Sequence, residues 1–144
     1  MTQQSRKPYQ KDNIFALIIA GQASAHKVYE DDYTLAFMDL MPQADGHTLV
    51  IPKCEAIDLL DADPEYLART IQATQKIAIA VKAAFSADGV MVAQLNGAAA
   101  GQTVFHLHFH IIPRQGGVDF ALHAKDMADA EVLAAHAARI RECL

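Results

Sequence analysis

Residues 104–112 read Val-Phe-His-Leu-His-Phe-His-Ile-Ile. An extended chain turns its side chains over with a period of two, so His106, His108 and His110 leave one face and Phe105, Leu107, Phe109 and Ile111 the other. The second face is strongly apolar and requires a core beneath it. The first then presents three imidazoles on an open face, successive rings roughly 6.5–7 Å apart. Three neighbouring imidazoles repel when protonated, so the pattern points to chemistry. Two chemistries fit. Zinc accepts imidazole readily, and i,i+2 histidines on a strand can share one ion that holds an activated water. Without metal, one imidazole serves as nucleophile and another as general acid.

Upstream lies a loop of small residues, Asn-Gly-Ala-Ala-Ala-Gly-Gln, residues 96–102. Gly97, Gly101 and the alanines between them leave backbone N–H groups unobstructed, which is how a loop cradles phosphate oxygens. Gln102 and Thr103 add neutral side-chain donors. No Gly-Lys-Ser/Thr follows, so this is not a P-loop. A phosphate-binding loop placed directly before the histidines favours metal-free nucleophilic catalysis over a zinc hydrolase.

The elements that must position these residues follow from pattern. Residues 1–12 are polar and are expected to form a loosely held arm, with a single domain over 13–144. Asn13–Ala20 is expected to be a short helix capped by Asp12 or Asn13. Lys27–Asp31, Thr34–Leu40 and Thr48–Pro52 read as strands separated by turn signals. Asp63–Ser86 is the strongest helix, with Asp63 as N-cap, Pro64 at the first position and Gly89 as a left-handed stop. Its predicted buried stripe is Leu67, Ile71, Thr74, Ala78, Val81 and Phe85. Val90–Gln94 and Val104–Ile112 are two further strands. A last helix, about Met127–Glu142, sets Met127, Ala130, Leu133, Ala137 and Ile140 on one face. Strands and helices segregated in this way predict an α+β fold with a mainly antiparallel sheet.

Composition narrows the field. The chain has 144 residues, enough for one ordinary core, and 52% are hydrophobic against 20% charged, the balance of a globular protein. A formal net charge of −5, with no basic stripe, argues against a nucleic-acid polymer as partner. No apolar run approaches the roughly 18–20 residues of a membrane span, and no signal-peptide order is present. Cys54 and Cys143 lie far apart without CxxC spacing, which suits unpaired thiols in a reducing cytoplasm.

The segment GQTVFHLHFHII, together with VYEDDYTLAFMDLMPQADGHTLVIPK and the NGAAAGQ loop, resembles the histidine triad superfamily of nucleotide hydrolases and transferases over about Asn13 to Phe120. The resemblance implies a HIT-like fold: a five-stranded antiparallel sheet under a long helix, assembled as a two-fold homodimer that extends the sheet. It also implies that His108 attacks an α-phosphate to form a nucleotidyl-histidine. By the same likeness His110 protonates the leaving group or binds the phosphate, His106 orients its neighbours, and His47 joins a proton relay. Asp39 takes the place of the ribose-hydroxyl acceptor, and Phe15, Phe37, Leu40 and Leu49 the walls around a purine base. Asn96, Gly101, Gln102, Thr103 and Val104 fall where relatives contact phosphate. His26, His123 and His136 match nothing and read as solvated surface.

Where some bacterial relatives carry Cys-x-x-Cys of a structural zinc site, this chain has Asn13 and Ala16, so that site is expected to be absent. No cofactor is implied, although magnesium could accompany a polyphosphate substrate. The Pro-Arg and Asp-Phe of IIPRQGGVDF resemble the dinucleoside-polyphosphate hydrolases, and the N-terminal half resembles the phosphoramidase branch. A regulatory or scaffolding nucleotide binder with incidental turnover would use the same residues.

Overall fold

The computed structural model describes residues 6–117 and 129–142. Asn13 opens the first element: its side-chain oxygen accepts from the Ala16 N–H at 2.9 Å, capping α1 (Ile14–Ile19), which buries Phe15 and Ile18. Five strands follow: β1 (Lys27–Glu30), β2 (Thr34–Met38), β3 (Thr48–Pro52), β4 (Gly89–Ala93) and β5 (Phe109–Arg114). They form one sheet in the order β1-β2-β3-β5-β4, every neighbouring pair antiparallel. The long helix α2 (Pro64–Ala84) lies between β3 and β4 in sequence, and α3 (Ala130–Glu142) ends the described chain. The expected α+β, five-stranded antiparallel architecture is the one observed.

The sheet has two faces with different duties. Ala36, Val50, Phe109 and Ile111 point toward α2 and form the main core with Ala73, Ile77 and Val81. On the opposite face, Phe37 pairs with Leu49, Leu49 with His110, and His110 with Ala93, a continuous row across four strands. That row carries the functional site. Burial on the first face supplies the hydrophobic stabilisation that lets the second remain concave.

Several expectations need correction. Asp63 does cap α2, accepting from Glu65 and Tyr66 N–H, but the buried stripe is Thr70, Ala73, Thr74, Ile77 and Val81. Ile71 and Phe85 of the predicted stripe are exposed. The face is rotated because small and hydroxyl residues admit the close approach. The Thr70 and Thr74 hydroxyls donate back to the Tyr66 and Thr70 carbonyls at 2.7 and 2.8 Å, which removes the cost of burying them. Gly89 is not the helix stop. Ser86 takes the left-handed position at φ 49°, Ala87 N–H bonds the Lys82 carbonyl and Ser86 N–H that of Ala83, and Gly89 begins β4.

The histidine strand is shorter than predicted, starting at Phe109. Continuing the β3–β5 register beyond Val50↔Phe109 would set Pro52 opposite Leu107, and proline has no N–H to give the ladder. Leu107 N–H turns instead to the Ala56 carbonyl at 2.8 Å. The described part of the N-terminal arm is also tied down. Arg6 forms an ion pair with the buried Asp58, and the Tyr9 hydroxyl reaches His106. Met127 and His123 lie outside the described residues, as do the side chains of Leu133, His136, Ala137 and Ile140.

Gly46, one residue before His47, tests how the sheet and helix are fitted together. Its φ is +90°, and an added Cβ would meet the Phe85 ring at 2.6 Å. Gly46→Ala is expected to lower unfolding free energy by about 1–3 kcal/mol, from left-handed strain plus overpacking. Urea denaturation checks this, and a loss under about 0.5 kcal/mol would show that Phe85 swings aside freely.

Candidate active site

Beside the histidines lies a cavity of about 610 Å³. One end is apolar: Phe15 and Ile18 of α1, Ala25, Phe37 and Leu49. Phe15 meets Phe37 edge-on at 5.3 Å and His108 at 5.0 Å between ring centroids, so α1 closes that end against the His108 ring. The other end is walled by Met91, Ala93, Leu95 and Ile112 from β4, β5 and the loop after β4. His108 and His110 stand between the two ends, with Asp39, His47, Gly101, Thr103 and Val104 around them. Leu40, 76% exposed, sits at the rim instead of forming an inner wall.

Backbone partners fix the proton on each ring. Pro52 contributes only a carbonyl at 2.8 Å from His106 Nε2, so that nitrogen carries the hydrogen and donates. His106 Nδ1 is then the acceptor for the Tyr9 hydroxyl at 2.6 Å. His108 Nδ1 donates to the His106 carbonyl at 2.7 Å, leaving His108 Nε2 as a bare lone pair with no partner among the described residues. His47 Nδ1 accepts the Gln43 backbone N–H at 3.1 Å, so its Nε2–H donates to His110 Nδ1 at 2.9 Å. His110 therefore holds its own proton on Nε2, again without a protein partner among the described residues. A bare nitrogen and an N–H thus stand on two rings whose centroids are 4.9 Å apart.

Burial keeps this set neutral. It depresses His47, His108 and His110 below the ordinary imidazole range, and it pushes His106 down to about 4. Asp39, with Oδ2 3.4 Å from His47 Nε2, works against that trend. The expectation of three rings on an open face is thus corrected: His106 and His108 are buried and only His110 is partly open. His106 faces away from the main cavity, toward a smaller one of about 220 Å³ beside Tyr9, Ala16 and Cys54.

The loop residues divide. Thr103 and Val104 line the cavity, and neither backbone N–H, nor the Thr103 hydroxyl, has a partner among the described residues. Gln102 is buried and spent internally, donating to the Ile57 and Val104 carbonyls and accepting from Gly97 N–H at 2.7 Å. Asn96 is likewise engaged, accepting from Leu59 N–H and exchanging bonds with Gln94. Both shape the loop, whose turn relies on Gly97 and Gly101 at φ 90° and 101°. They do not reach the cavity as the sequence predicts, because their side chains are spent on Ile57, Leu59, Gln94 and the loop itself.

Sequence reasoning missed Tyr9, which sits in a polar stretch without periodicity, and Met91 and Ala93, on a strand apolar on both faces. It missed the Gln43 N–H because a backbone donor has no sequence signature. Metal fits poorly at the triad. Both His106 nitrogens and His108 Nδ1 are committed, and the one convergent group among the described residues is Asp39, His47 and His110. An ion there would have to displace the His47–His110 hydrogen bond.

Comparison with known proteins gives concordant matches. Residues 20–117 match the HIT domain. A HIT-like protein of Bartonella henselae involved in cell-cycle regulation has a crystal structure with 52% sequence identity and a TM-score of 0.76, covering 96% of this chain and 100% of that one. A HIT-like protein of Mycobacterium tuberculosis is 46% identical over 104 residues, 72% of each chain. The adenylylsulfatase HINT3 of Arabidopsis thaliana is 40% identical over 106 residues, 74% of this chain and 54% of the plant protein. Sequence, fold and histidine geometry agree: the chain belongs to the HIT-domain family.

Proposed function

We propose that this protein is a nucleotide hydrolase or transferase that attacks the α-phosphorus of a purine nucleotide with His108, through a nucleotidyl-histidine. The observation that carries this reading is the bare His108 Nε2 beside the His110 Nε2–H in a largely apolar cavity. Depressed imidazole basicity keeps the nucleophile unprotonated at neutral pH. Membership of the HIT family, and a relative named as an adenylylsulfatase, support an adenylyl group as the part transferred.

The base lies between Phe15, Phe37 and Leu49, with Leu40 at the rim. Asp39 Oδ2 accepts from the ribose hydroxyls, while its Oδ1 stays with the Met41 N–H at 2.8 Å. Thr103, Val104 and Gly101 take the phosphate oxygens. Among the described residues Asp39 is the one carboxylate of the lining, and none of them brings a lysine or arginine to the cavity. A single phosphate with an uncharged or apolar leaving group suits such walls better than a polyphosphate, which needs several cations. This favours phosphoramidate-type substrates.

In the first step the His108 Nε2 lone pair forms a bond to phosphorus, and the leaving atom departs with its electron pair. The phosphorylated ring is a cation, and its Nδ1–H remains on the His106 carbonyl. An amine must leave with a proton. The neutral His47–His110 pair cannot give one without becoming an anion, so the acid is the pair with one further proton, taken up with the anionic substrate. His47 then turns its Nε2–H to Asp39, and His110, protonated on both nitrogens, donates from Nε2. In the second step water returns a proton to His110 Nε2 as its oxygen replaces His108 on phosphorus. No metal ion takes part at the protein, and any magnesium arrives with a polyphosphate substrate.

We further propose a homodimer built on β4. Among the described residues nothing pairs with its outer edge, and beside it α2 exposes Ile71 and Ile79 next to Val90 and Val92 in a groove of about 650 Å³. A free edge pairs antiparallel with its own copy about a two-fold axis. Among the described residues no helix is long and apolar enough to cross a membrane, and Cys54 is a free thiol, which fits the cytoplasm.

Three measurements test these readings. The first compares kcat/KM for an adenosine phosphoramidate of an alkyl amine with that for adenosine 5′-(p-nitrophenyl phosphate). His108→Ala should abolish both, with some loss of stability because the ring is buried against Phe15. His110→Ala should slow the amine substrate by about 10²–10⁴-fold and the phenol far less. Wild-type kcat/KM for the amine should fall as pH rises through neutrality, because buried His110 holds its second proton only below the ordinary imidazole range. Equal losses for both leaving groups would remove the general-acid role, and no turnover of either would favour a nucleotide-binding protein. Second, Asp39→Ala should weaken ribonucleotide binding by on the order of 1–3 kcal/mol and 2′-deoxynucleotides less. Titration calorimetry giving equal losses would return Asp39 to a loop-holding role. Third, sedimentation should show a dimer that Ile79→Glu converts to monomer, and a wild-type monomer at micromolar concentration would end the dimer proposal.

A further inference from the structure

Tyr9 touches the histidine array from outside the main cavity. Its hydroxyl donates to His106 Nδ1 at 2.6 Å, and the two rings meet edge-on at 5.7 Å. His106 is 1% exposed, so with the Tyr9 ring in place its Nδ1 depends on that hydroxyl for a donor. The segment bearing Tyr9 is held at both ends. Arg6 pairs with Asp58, whose carboxylate caps the turn at Leu59–Asp61, and Asn13 bonds the Gln10 carbonyl at 2.7 Å before capping α1. Between the anchors Lys11 lies 3.6 Å from Glu55.

We propose that Tyr9 is a positioning residue for the histidine triad, and that residues 6–12 are a strap holding His106 and, through its carbonyl, the ring of His108. With the Tyr9 O–H on Nδ1, His106 must keep its hydrogen on Nε2, where it meets the Pro52 carbonyl. That pair of bonds fixes His106 between the strap and the end of β3. The His106 carbonyl, held in this way, takes the Nδ1–H of His108, and only then does His108 Nε2 point bare into the cavity. Without the Tyr9 hydroxyl, His106 Nδ1 is a buried acceptor with no donor, and the Nδ1–H tautomer, which forfeits the Pro52 bond, becomes competitive.

The strap also does what a metal would do at this place. Asn13 spends its side chain on capping and on Gln10, Ala16 offers no donor, and both His106 nitrogens are committed. The donor set near the small cavity by Tyr9 and Cys54 does not fit zinc, and the hydroxyl supplies the ring's second anchor.

This inference rests on the proposed catalytic role of His108, and the decisive variant is Tyr9→Phe in the full chain, which keeps the ring and removes only the oxygen. Long-range ¹H–¹⁵N spectra should show wild-type His106 as a single Nε2–H tautomer and the variant as a mixture. Turnover should fall about three- to tenfold in kcat, as for loss of one buried hydrogen bond, with KM within about twofold. Arg6→Gln, which loosens the far anchor without touching a histidine, should lower kcat in the same sense by a smaller factor. The purified wild-type chain should hold no stoichiometric zinc by elemental analysis. An unchanged His106 tautomer in Tyr9→Phe would overturn the proposal whatever happens to the melting temperature. So would a changed tautomer with unchanged kcat, or one zinc per chain. If the wild type turns over no nucleotide, the spectra still judge the Tyr9–His106 bond, and the failure belongs to the assigned activity.

Discussion

A carbonyl oxygen governs this site. The backbone oxygen of His106, 2.7 Å from His108 Nδ1, decides which nitrogen of the central ring is left bare. Imidazole has two nearly equivalent tautomers, and in water each nitrogen would carry the proton part of the time. A backbone acceptor removes that freedom, because a carbonyl can only receive. The same logic recurs at the Pro52 carbonyl for His106 and, with the sign reversed, at the Gln43 N–H for His47. Three backbone groups therefore set the protonation pattern of four side chains. Burial then keeps the rings uncharged in the empty site, so the bare nitrogen of His108 and the N–H of His110 stand together without mutual repulsion.

Two of those groups, the His106 and Pro52 carbonyls, are where they are because the ladder breaks. Had position 52 an N–H to offer, the β3–β5 pairing would run on past Leu107 and the His106 segment would be ordinary strand. Proline forbids it. The segment lifts out of register, and the Pro52 carbonyl is freed for an imidazole. Beneath the break, Leu107 stays in the core at 0% exposure, whereas Phe105 is 41% exposed, so the apolar face outlasts the pairing as far as Leu107 and ends there.

Much of this was legible in residue pattern. Alternation in residues 104–112 placed Leu107, Phe109 and Ile111 in the core and gathered the histidines on one side, since period two belongs to extended backbone whether or not it is laddered. Asp63 declared its cap, and Asn13 was one of two candidates with Asp12, because a short polar side chain before an apolar run has few other uses. Less legible was whatever depends on long-range fit. The face of α2 turned toward Thr70 and Ala73, which hydropathy undervalues and close packing rewards. Gln102 and Asn96 had the right chemistry for phosphate, but their partners lie dozens of residues away at Ile57 and Leu59. Tyr9 had no signal at all: a lone aromatic in a polar run acquires meaning only through the ring it meets.

Strand β4 serves two surfaces at once. Met91 and Ala93 face the cavity, while Val90 and Val92 face the groove on the other side. A strand five residues long is stiff along its length, and it cannot move toward one surface without moving relative to the other. An occupant of the groove and an occupant of the cavity would consequently rest on the same strand. If a ligand in one tightens or loosens a partner on the other, the partner must alter the ligand's affinity by the same factor. The shared element gives such coupling its mechanical path: the thickness of one edge strand.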